Sequence, residues 1–448
     1  MRKSLLITLE FPPQRGGTQS YYFNICKNLP SEKIVVLAPM DEEEILFPRR
    51  SSLTGDCGGA PKSRPAPHRV SDDLDPVNFK IYRKNLLVKY LYPHWLPMVW
   101  HLCRIIKREK IELVQAGQVL PCGAAVFLIG KFFNIPYAVY THGLDILGPQ
   151  KNFRKKKLMI KILRNAEKVI SNSEFTKNEV AKLGIERDRI FVVYPSVSLR
   201  RSPLTGDCGG AFNLVDKQNP PPTPSAGGGL NPPSPPLRKG GILKSHQPPF
   251  AKGGNIEELR KKYNLGEKKI LLSVCRLVER KGVDLVISAL VNFSEELRDV
   301  VYIVVGDGPK MEDLKRLSAS EGWQLPIIFT GRISDEELDL WYRMCDVFIL
   351  TPKKSEFDVE GFGIVYAEAS SYSKPVIGSR LAGICEAVQD GVTGVLVEPD
   401  NIEEIGQAIV ELFNDEELRE RLGRQGGERA RMEFCVEEQM GRLREAMG

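Results

Sequence analysis

The sequence predicts an α/β protein with two doubly wound domains that face each other across an interdomain cleft. Three observations support this prediction: short apolar runs end in glycine or small polar residues, amphipathic helical segments follow them, and the pattern occurs twice. Near-continuous apolar strands separated by helices are typical of parallel sheets that helices cover on both faces. Ligands bind such sheets at the carboxyl ends of the strands, so we expect the site in the cleft.

The first predicted domain comprises residues 1–199. Its apolar runs are KSLLITLE, KIVVLAP, IELVQAG, YAVYTHG and KVISNS. The first run is too short for the apolar region of a signal peptide, and we interpret it as a buried strand. An insertion near residues 50–66 interrupts this domain, because RSSLTGDCGGA at 50–60 returns with one change as RSPLTGDCGGA at 201–211.

Residues 200–254, which contain this second copy, are interpreted as a disordered insertion. They are dense in Pro, Gly, Ser and Lys and have almost no periodic apolar pattern, so they cannot bury enough surface to offset the entropy of ordering. The second predicted domain, residues 255–428, has the runs KILLSVCRL, YIVVGDG, IIFTG, DVFILTP, KPVIGS and GVLVE. Residues 429–448 are expected to form a C-terminal helix that returns to the first domain.

The net charge of +6 is divided unevenly along the chain. Residues 1–200 hold 32 Lys and Arg against 18 Asp and Glu, a balance of +14, so the remainder carries −8. Within the basic half, residues 83–110 and 151–168 mix Lys and Arg with Trp, Tyr, Leu and Ile. Such segments can lie on an anionic membrane surface, although amphipathic helices packed on a sheet have the same composition.

The rest of the composition indicates where the protein works. No uninterrupted run of eighteen apolar residues occurs, so no transmembrane helix is expected. The nine cysteines include no CxxC pair, which favours reduced thiols over a disulfide framework or a zinc site. We therefore expect a cytoplasmic protein, peripheral on the inner face of the membrane, with no nucleic-acid partner.

Two glycine-containing turns and one histidine are candidates for ligand contact. Gly16 and Gly17 precede a predicted helix whose free N–H groups could bind an anion, although a tight structural turn explains them equally well. Gly306 and Gly308 follow another strand, where ordinary turn chemistry is the simpler explanation. His142 directly follows the strand YAVY, at the cleft end, and either a structural or a functional role fits it.

Arg276 and Lys281 are candidates for binding a diphosphate. They lie in VCRLVERKG, just past a strand in the acidic half of the chain. Arg offers a fork of donors and Lys a point charge. Two solvated charges at a helix start would look the same, but cations near a helix N-terminus are unfavourable to the helix dipole, which favours a functional role.

The segment DVEGFGIVYAEAS, residues 358–370, places two carboxylates in sequence that otherwise belongs in a core. Glu360 precedes a helix predicted to begin near Gly363, and Glu368 lies inside that helix among small and apolar residues. A buried carboxylate needs hydrogen-bond donors. Sugar hydroxyls are suitable donors, so one acid could bind a ribose and the other a transferred sugar.

Together these segments resemble the retaining, nucleotide-sugar-dependent glycosyltransferases of family 4, which have the GT-B fold. The similar segments follow the family order over nearly the whole chain except the insertions. They are Gly16-Gly17, THG, SNSEFT, RLVERKG, GDGP, FTGRISDEEL and Glu360-x7-Glu368. The wording FDVEGFGIVYAEAS is particularly similar to mannosyltransferases that act on phosphatidylinositol and use GDP-mannose.

The resemblance implies the roles of the candidate residues. Arg276 and Lys281 would hold the donor diphosphate in place of a metal ion, and His142 would lie beside the reacting sugar. Glu368 would bind the ribose hydroxyls and Glu360 those of the transferred sugar. The other donor contacts would come from Gly16, Gly17, Gly306, Gly308, Arg332, Gly361, Phe362 and Gly363.

The implied activity moves a hexose, with mannose favoured, from GDP-mannose or a UDP-sugar to a lipid-linked or glycan acceptor. No further cofactor is expected. Two alternatives keep the same architecture: a nucleotide-sugar 2-epimerase and an inactive sugar-nucleotide-binding protein. The triplet Asp73-Leu74-Asp75 resembles a metal-binding DxD motif, but it lies in polar sequence without a preceding apolar strand, so no metal site is expected.

Overall fold

The computed structural model describes residues 1–13, 16–40, 78–88, 92–197, 255–319, 325–355 and 359–448. Within these ranges the chain forms two parallel β-sheets with helices packed against them, so the predicted fold class is confirmed. Both sheets belong to one compact unit. The expected insertions near 50–66 and at 200–254, and the triplet Asp73-Leu74-Asp75, lie outside the described residues.

The first sheet has seven strands in the order β3-β2-β1-β4-β5-β6-β7. They are β1 (Ser4–Ile7), β2 (Ile34–Pro39), β3 (Lys80–Lys84), β4 (Leu113–Ala116), β5 (Tyr137–Thr141), β6 (Lys168–Ser171) and β7 (Ile190–Val192). The helices of this half are α1 (Gly17–Lys27), α2 (Leu96–Glu109), α3 (Cys122–Phe133), α4 (Leu144–Leu147), α5 (Phe153–Asn165) and α6 (Glu174–Lys182).

The second sheet has six strands in the order β10-β9-β8-β11-β12-β13. They are β8 (Lys269–Val274), β9 (Val300–Val305), β10 (Ile327–Gly331), β11 (Val347–Leu350), β12 (Val376–Ser379) and β13 (Gly394–Val397). The helices of this half are α7 (Ile256–Lys262), α8 (Val283–Asn292), α9 (Met311–Ser318), α10 (Asp335–Met344), α11 (Ile364–Ser371), α12 (Ile384–Ala387), α13 (Ile402–Asn414) and α14 (Glu416–Glu433), and the chain ends in α15 (Val436–Met447).

The central strands are buried on both faces, which explains their near-continuous apolar sequence. In β1, the side chains of Leu5, Leu6 and Ile7 are almost fully buried, and the residues of β8 from Ile270 to Leu272 are equally enclosed. Burying each such side chain contributes roughly 1.5–3 kcal/mol. The hydrophobic effect therefore fixes the centre of each sheet, and with it the positions of the loops that follow the strands.

The order of both sheets reverses at one point, between β1 and β4 in the first and between β8 and β11 in the second. Neighbouring strands there send the chain to opposite faces, which leaves a crevice at their carboxyl ends. The candidate residues lie at this edge of the sheets. Gly16 follows β1, His142 follows β5, Arg276 follows β8, and Glu360 follows β11.

The last two helices link the two halves. Ala430 of α14 and the following Phe434 pack in the core of the second sheet. Helix α14 therefore spans the domain boundary expected at residues 428 and 429. Met440 and Leu443 of α15 pack instead in a core cluster of the first half that includes Leu6 of β1.

Candidate active site

Glu360 lies between two cations from the turn that follows β8. Lys281 and Arg280 both donate to its Oε2 atom, Arg280 over 2.9 Å, and only 16% of the Glu360 side chain is exposed. Burial alone would raise the pKa of Glu360, but the charges of Lys281 and Arg280 lower it to about 2. The carboxylate is therefore ionised throughout the neutral range, and its Oε1 atom accepts no hydrogen bond from a described residue.

Glycine in the β8–α8 turn allows the two cations to reach this position. Gly282 has φ +69°, and a Cβ atom added there would lie 1.9 Å from the carbonyl oxygen of Thr351, just after β11. The turn thus lies directly against the end of β11, which brings Lys281 towards the loop that carries Glu360. Any larger residue at 282 would push the turn away.

Of the cations in the turn after β8, Arg280 and Lys281 contact Glu360, while the expected diphosphate role of Arg276 stays a prediction. Arg276 is exposed and forms no ion pair with any residue in the described part of the chain. Lys281 lies at Glu360, as expected if the two residues share one site. The second cation that contacts Glu360 is Arg280 rather than Arg276. Arg280 was not predicted from the sequence, because the spacing in RLVERKG does not tell which of three cations faces the loop.

Glu368 lies one turn inside helix α11, and this helix begins at Ile364 after Gly363, as predicted. Its side chain is half-buried, and Tyr342 of α10 donates to Glu368 Oε2 over 2.8 Å. Burial raises the pKa of Glu368, and the Tyr342 bond opposes this shift. Tyr342 also stacks on Tyr372, with ring centroids 5.4 Å apart, so its hydroxyl is held in place. This hydrogen-bond donor was not predicted from the sequence.

The loop between Glu360 and α11 meets the first half of the chain at Gly361. A Cβ atom there would lie 2.2 Å from the carbonyl oxygen of His142 and 2.8 Å from the Asn172 amide nitrogen. Only glycine permits this approach. The neighbouring Phe362 side chain is buried against the rings of Tyr194 and Phe434, so only the backbone of Phe362 remains to contact a donor.

His142 is neutral in this environment. Burial lowers its pKa to about 4, and a bond to the Gly117 backbone opposes the shift. The Tyr22 hydroxyl donates to the Gly117 carbonyl oxygen and also lies within hydrogen-bond distance of His142 Nε2. The tautomer of the neutral imidazole decides which of these two groups donates to the other.

Gly16 and Gly17 place the N-terminus of α1 close to that of α11. A Cβ atom on Gly17 would contact the Ile364 side chain at 3.2 Å. Helix α1 has no side-chain cap and no acidic residue in its first turn. Its first N–H groups thus lie near the beginning of α11 with no capping side chain from the described residues, an arrangement that suits a phosphate.

The three remaining expected residues lie in the turns after β9 and β10. A Cβ atom on Gly306 would lie 1.9 Å from the Cys275 carbonyl oxygen, and one on Gly308 would lie 2.3 Å from that of Leu277. These glycines are required for the β9 turn to pack on the β8 turn. Arg332 is largely exposed and forms an ion pair with Asp307 at 3.4 Å.

A carboxylate of the second half also caps a helix of the first half. Both oxygens of Glu386, in α12, accept backbone N–H groups of α6: one from Glu174 and one from Phe175, each over 2.6 Å. A carboxylate at a helix N-terminus is favoured by the unpaired N–H groups and the helix dipole. This contact joins the two halves beside the approach of Gly361 to Asn172.

Neither a metal cluster nor a membrane-spanning helix was found among the described residues. No group of three or more His, Cys, Asp or Glu side chains in those ranges could hold a metal ion. Likewise, no helix there is both long and apolar enough to cross a bilayer.

Comparisons with known proteins agree with this geometry. Residues 15–201 match the family described as Glycosyltransferase Family 4, and residues 255–429 match Glycosyl transferases group 1. The chain is 36% identical over 415 residues to a GDP-mannose-dependent alpha-(1-6)-phosphatidylinositol monomannoside mannosyltransferase of Mycolicibacterium smegmatis, covering 92% of this chain and 89% of that protein. It is 30% identical to an N-acetyl-alpha-D-glucosaminyl L-malate synthase of Bacillus anthracis, covering 83% and 84% of the two chains.

Solved structures share the fold at low sequence identity. The crystal structure of Anabaena HepE in complex with UDP and glucose superposes with a TM-score of 0.70 at 17% identity, and covers 100% of this chain and 99% of that one. WaaG, a glycosyltransferase involved in lipopolysaccharide biosynthesis, gives a TM-score of 0.63 at 14% identity, with coverage of 99% and 100%. At these identities the likeness shows the fold alone.

Proposed function

Because the chain belongs to glycosyltransferase family 4, we propose that it transfers mannose from GDP-mannose to a lipid-linked acceptor that contains inositol. The chain has the GT-B fold, and the family comprises metal-independent retaining enzymes that use nucleotide sugars. The choice of mannose and of the acceptor is supported by the 36% identical relative, whose coverage extends over both halves of the chain.

One observation carries the assignment of the reaction to this site: an ionised Glu360, held by Lys281 and Arg280, at the junction of the two sheets. In our proposal Glu360 Oε1 accepts hydroxyl hydrogens of the donor sugar. Lys281 and Arg276 bind the diphosphate, and the N-terminus of α1 at Gly17 contributes N–H groups from the other side. Glu368, oriented by its bond from Tyr342, binds the ribose.

The same groups would lower the reaction barrier. Negative charge builds on the departing diphosphate as the sugar–oxygen bond breaks, so preorganised cations and helix N–H groups stabilise the transition state. The departing phosphate can accept the proton of the acceptor hydroxyl, so no protein base is required. Neutral His142 then acts through hydrogen bonding beside the sugar rather than through charge. Residues 1–199 form the acceptor side and residues 255–428 the donor side.

We further propose that a basic, aromatic face of the first half binds the membrane that holds the acceptor. Helices α2 and α3 pack together, as do α3 and α5. They expose Trp100, Phe132 and Phe153, the last two with 78% of each residue accessible. Cations lie over the rings of this face: Arg104 over Trp100, Lys107 over Phe133 and Lys157 over Phe153. Exposed aromatic rings with adjacent cations suit the interface of an anionic bilayer.

This face only partly follows the sequence-based expectation. Segments 83–110 and 151–168 contribute Trp100 and Phe153, whereas residues 89–91 lie outside the described residues. Phe132 and Phe133 come from α3, which was not expected to take part. Flotation with anionic liposomes at low salt tests the proposal: association should be lost when Trp100, Phe132 and Phe153 are changed to Ser, and kept in a control carrying Lys315→Glu and Arg316→Glu on α9. Equal flotation of both variants would contradict it.

The activity is tested with purified full-length chain and a panel of labelled donors. GDP-mannose, UDP-glucose and UDP-N-acetylglucosamine are each offered with phosphatidylinositol monomannoside, phosphatidylinositol and L-malate. We expect mannose transfer from GDP-mannose to the inositol lipids, with an α-linked product seen by NMR. Glu360→Gln should abolish it, and the exposed control Glu398→Gln should not. Transfer from a UDP-sugar to L-malate, or epimerisation of a UDP-sugar, would overturn the proposal.

A further inference from the structure

A second carboxyl group of the site, Asp145, has a buried oxygen that no described residue hydrogen-bonds. Asp145 lies in the turn after β5, where its Oδ1 atom accepts the backbone N–H of His142 over 2.8 Å. Its Oδ2 atom is buried and accepts no hydrogen bond from any residue in the described ranges. Leaving a buried polar atom unpaired costs free energy, so native proteins rarely keep one without a use.

The groups around Asp145 do not neutralise it. Glu10, in the loop after β1, lies close enough that its charge raises the pKa values of Asp145, Tyr22 and Cys122. No Lys or Arg in the described part of the chain forms an ion pair with Asp145 or Glu10. His142 gives no positive charge either, because its pKa is about 4. An ion pair with a described residue therefore does not explain why Asp145 and Glu10 lie in this position.

A purely structural role for Asp145 accounts for only half of its carboxyl group. The Oδ1 atom anchors the turn that positions His142, and an asparagine oxygen could do the same. The anchor does not explain the neighbouring acid, nor the second oxygen, which no donor in the described ranges reaches with hydrogen-bond geometry although the Val119 backbone lies close enough to act on the carboxyl group. Burial is the main reason that the pKa of Asp145 is raised to about 7, with backbone groups of His142 and Val119 working in the opposite direction.

The position of the two acids points to the acceptor rather than the donor. Strands β1, β4 and β5 are neighbours in the first sheet, so Glu10 and Asp145 follow strands on either side of β4. The proposed donor ligands Glu360, Lys281 and Glu368 all come from the second sheet. Beside them, a Cβ atom added to Gly143 would lie 3.4 Å from the Gly361 Cα atom, so the Asp145 turn borders the junction where sugar would be transferred.

We propose that Asp145 and Glu10 form an acceptor subsite that binds hydroxyl groups of an uncharged sugar or cyclitol ring. This inference rests on the proposed function and deepens it. Carboxyl oxygens accept hydroxyl hydrogens in strong, charge-assisted bonds. Two neighbouring acids also repel phosphate, so the subsite selects the hydroxylated ring of the acceptor and keeps its phosphodiester elsewhere.

The test uses Asp145→Asn and Glu10→Gln in the full chain. Asparagine retains the oxygen that anchors His142 and replaces the unpaired oxygen with a donor. We expect kcat/KM for phosphatidylinositol monomannoside to fall about tenfold or more in each variant, the loss typical of one charge-assisted hydrogen bond. The dissociation constant for GDP should stay within twofold of the wild-type value. The matched control is Glu112→Gln, an acid of the same half that accepts the Lys3 N–H at the opposite edge of the sheet.

Deoxy acceptors give a sharper readout. Removing the hydroxyl that Asp145 binds should weaken transfer by the wild-type enzyme but add little loss in Asp145→Asn, because the two changes remove the same bond. Independent losses for every deoxy acceptor would overturn the subsite. So would a kcat/KM within twofold of wild type in both variants.

Ligand binding separates this inference from the proposed function. Saturation-transfer NMR with the soluble headgroup mannosyl-inositol, in the presence of GDP, should show contact in the wild type and a loss of it in Asp145→Asn and Glu10→Gln. Unchanged headgroup binding in both variants overturns the subsite whatever the activity. If the wild-type enzyme contacts the headgroup but transfers no mannose, the proposed reaction is contradicted while the acceptor subsite is still supported.

Discussion

Glu360 and Asp145 are both enclosed carboxyl groups at the junction of the two sheets, yet their pKa values are shifted in opposite directions from the ordinary values of Glu and Asp. Burial acts to raise both. Two cations from the β8–α8 turn lower the pKa of Glu360 to about 2, whereas Asp145 has another acid beside it and a pKa of about 7. Burial is the main cause of the raised pKa of Asp145, and the two cations at Glu360, which have no counterpart at Asp145 among the described residues, account for the difference between the groups.

This difference corresponds to two ways of preparing a carboxyl group for a ligand. Glu360 is fixed in position through Oε2 by two cations, which also orients Oε1, an atom that accepts no hydrogen bond from a described residue. Asp145 is fixed through one oxygen by a backbone N–H, and its second oxygen has no partner in the described part of the chain. The second half thus presents a carboxylate paired with two cations, and the first half presents a carboxyl group beside another acid, with no cation paired to it among the described residues.

The largest expected effect comes from removing the cation that Glu360 and the diphosphate share. Lys281→Ala should lower kcat for transfer from GDP-mannose about 10²–10³-fold, because preorganised groups facing developing charge contribute on that scale. The reaction is followed with donor in excess, so that weaker binding is not mistaken for slower chemistry. Lys310→Ala, an exposed lysine of the same half, is the control. Turnover within a few-fold of wild type would show that Lys281 has no such role.

Comparing Arg276 with Arg280 separates ligand binding from support of Glu360. Arg276→Ala should weaken GDP binding about tenfold or more without changing the melting temperature, because Arg276 forms no ion pair with a described residue. Arg280→Ala should lower the melting temperature as well, since it removes one of the two cations on Glu360. Isothermal calorimetry and thermal unfolding measure the two effects. Identical behaviour of the two variants would contradict this division of roles.

The sequence predicts the two sheets well because their centres are nearly continuous apolar runs. KILLSVCRL and YAVYTHG could hardly be anything but buried strands, and the residues that follow such strands must gather at one edge. The motif resemblance to glycosyltransferase family 4 is confirmed by the family matches and by the 36% identical relative. The start of α11 after Gly363 was likewise predictable from local sequence.

The partners of the candidate residues were not predictable in the same way. Arg280 reaches Glu360 only because Gly282 packs against Thr351, a contact between distant segments. Tyr342 reaches Glu368 from another helix, 26 residues away in the chain. Asp145 is visible in THGLD, but its burial and its unpaired oxygen depend on the loops after β1 and β4. Side-chain partners across elements follow from tertiary packing, which residue spacing does not encode.

A smaller effect is expected from the contact that joins the two halves through Glu386. Glu386→Gln retains the shape and one acceptor oxygen but removes the negative charge at the N-terminus of α6. We expect the KM for GDP-mannose to rise about fivefold, equivalent to ~1 kcal/mol of lost helix-dipole and hydrogen-bond stabilisation. Small-angle scattering should show a larger radius of gyration than for wild type. The control is Glu404→Gln, and an unchanged radius together with an unchanged KM would count against the contact.

The smallest expected effect is a pH dependence of stability that distinguishes Asp145 from Glu360. The folded pKa of Asp145 is about 7, above the unfolded value near 3.9, so the folded state binds the proton more tightly. The contribution of Asp145 to the free energy of unfolding is therefore most favourable below about pH 4 and is lost as the pH rises to about 7. The groups that face Asp145 are Glu10, Tyr22 and His142, and none of them supplies a positive charge at neutral pH.

Asp145→Asn should gain ~1 kcal/mol or more in free energy of unfolding, relative to wild type, between pH 5 and pH 8 in urea titrations. Glu360→Gln should lack such a gain, because the Glu360 contribution is lost only when the pH falls from about 4.5 towards 2. A difference between Asp145→Asn and wild type that does not change with pH would mean that Asp145 is already ionised and paired.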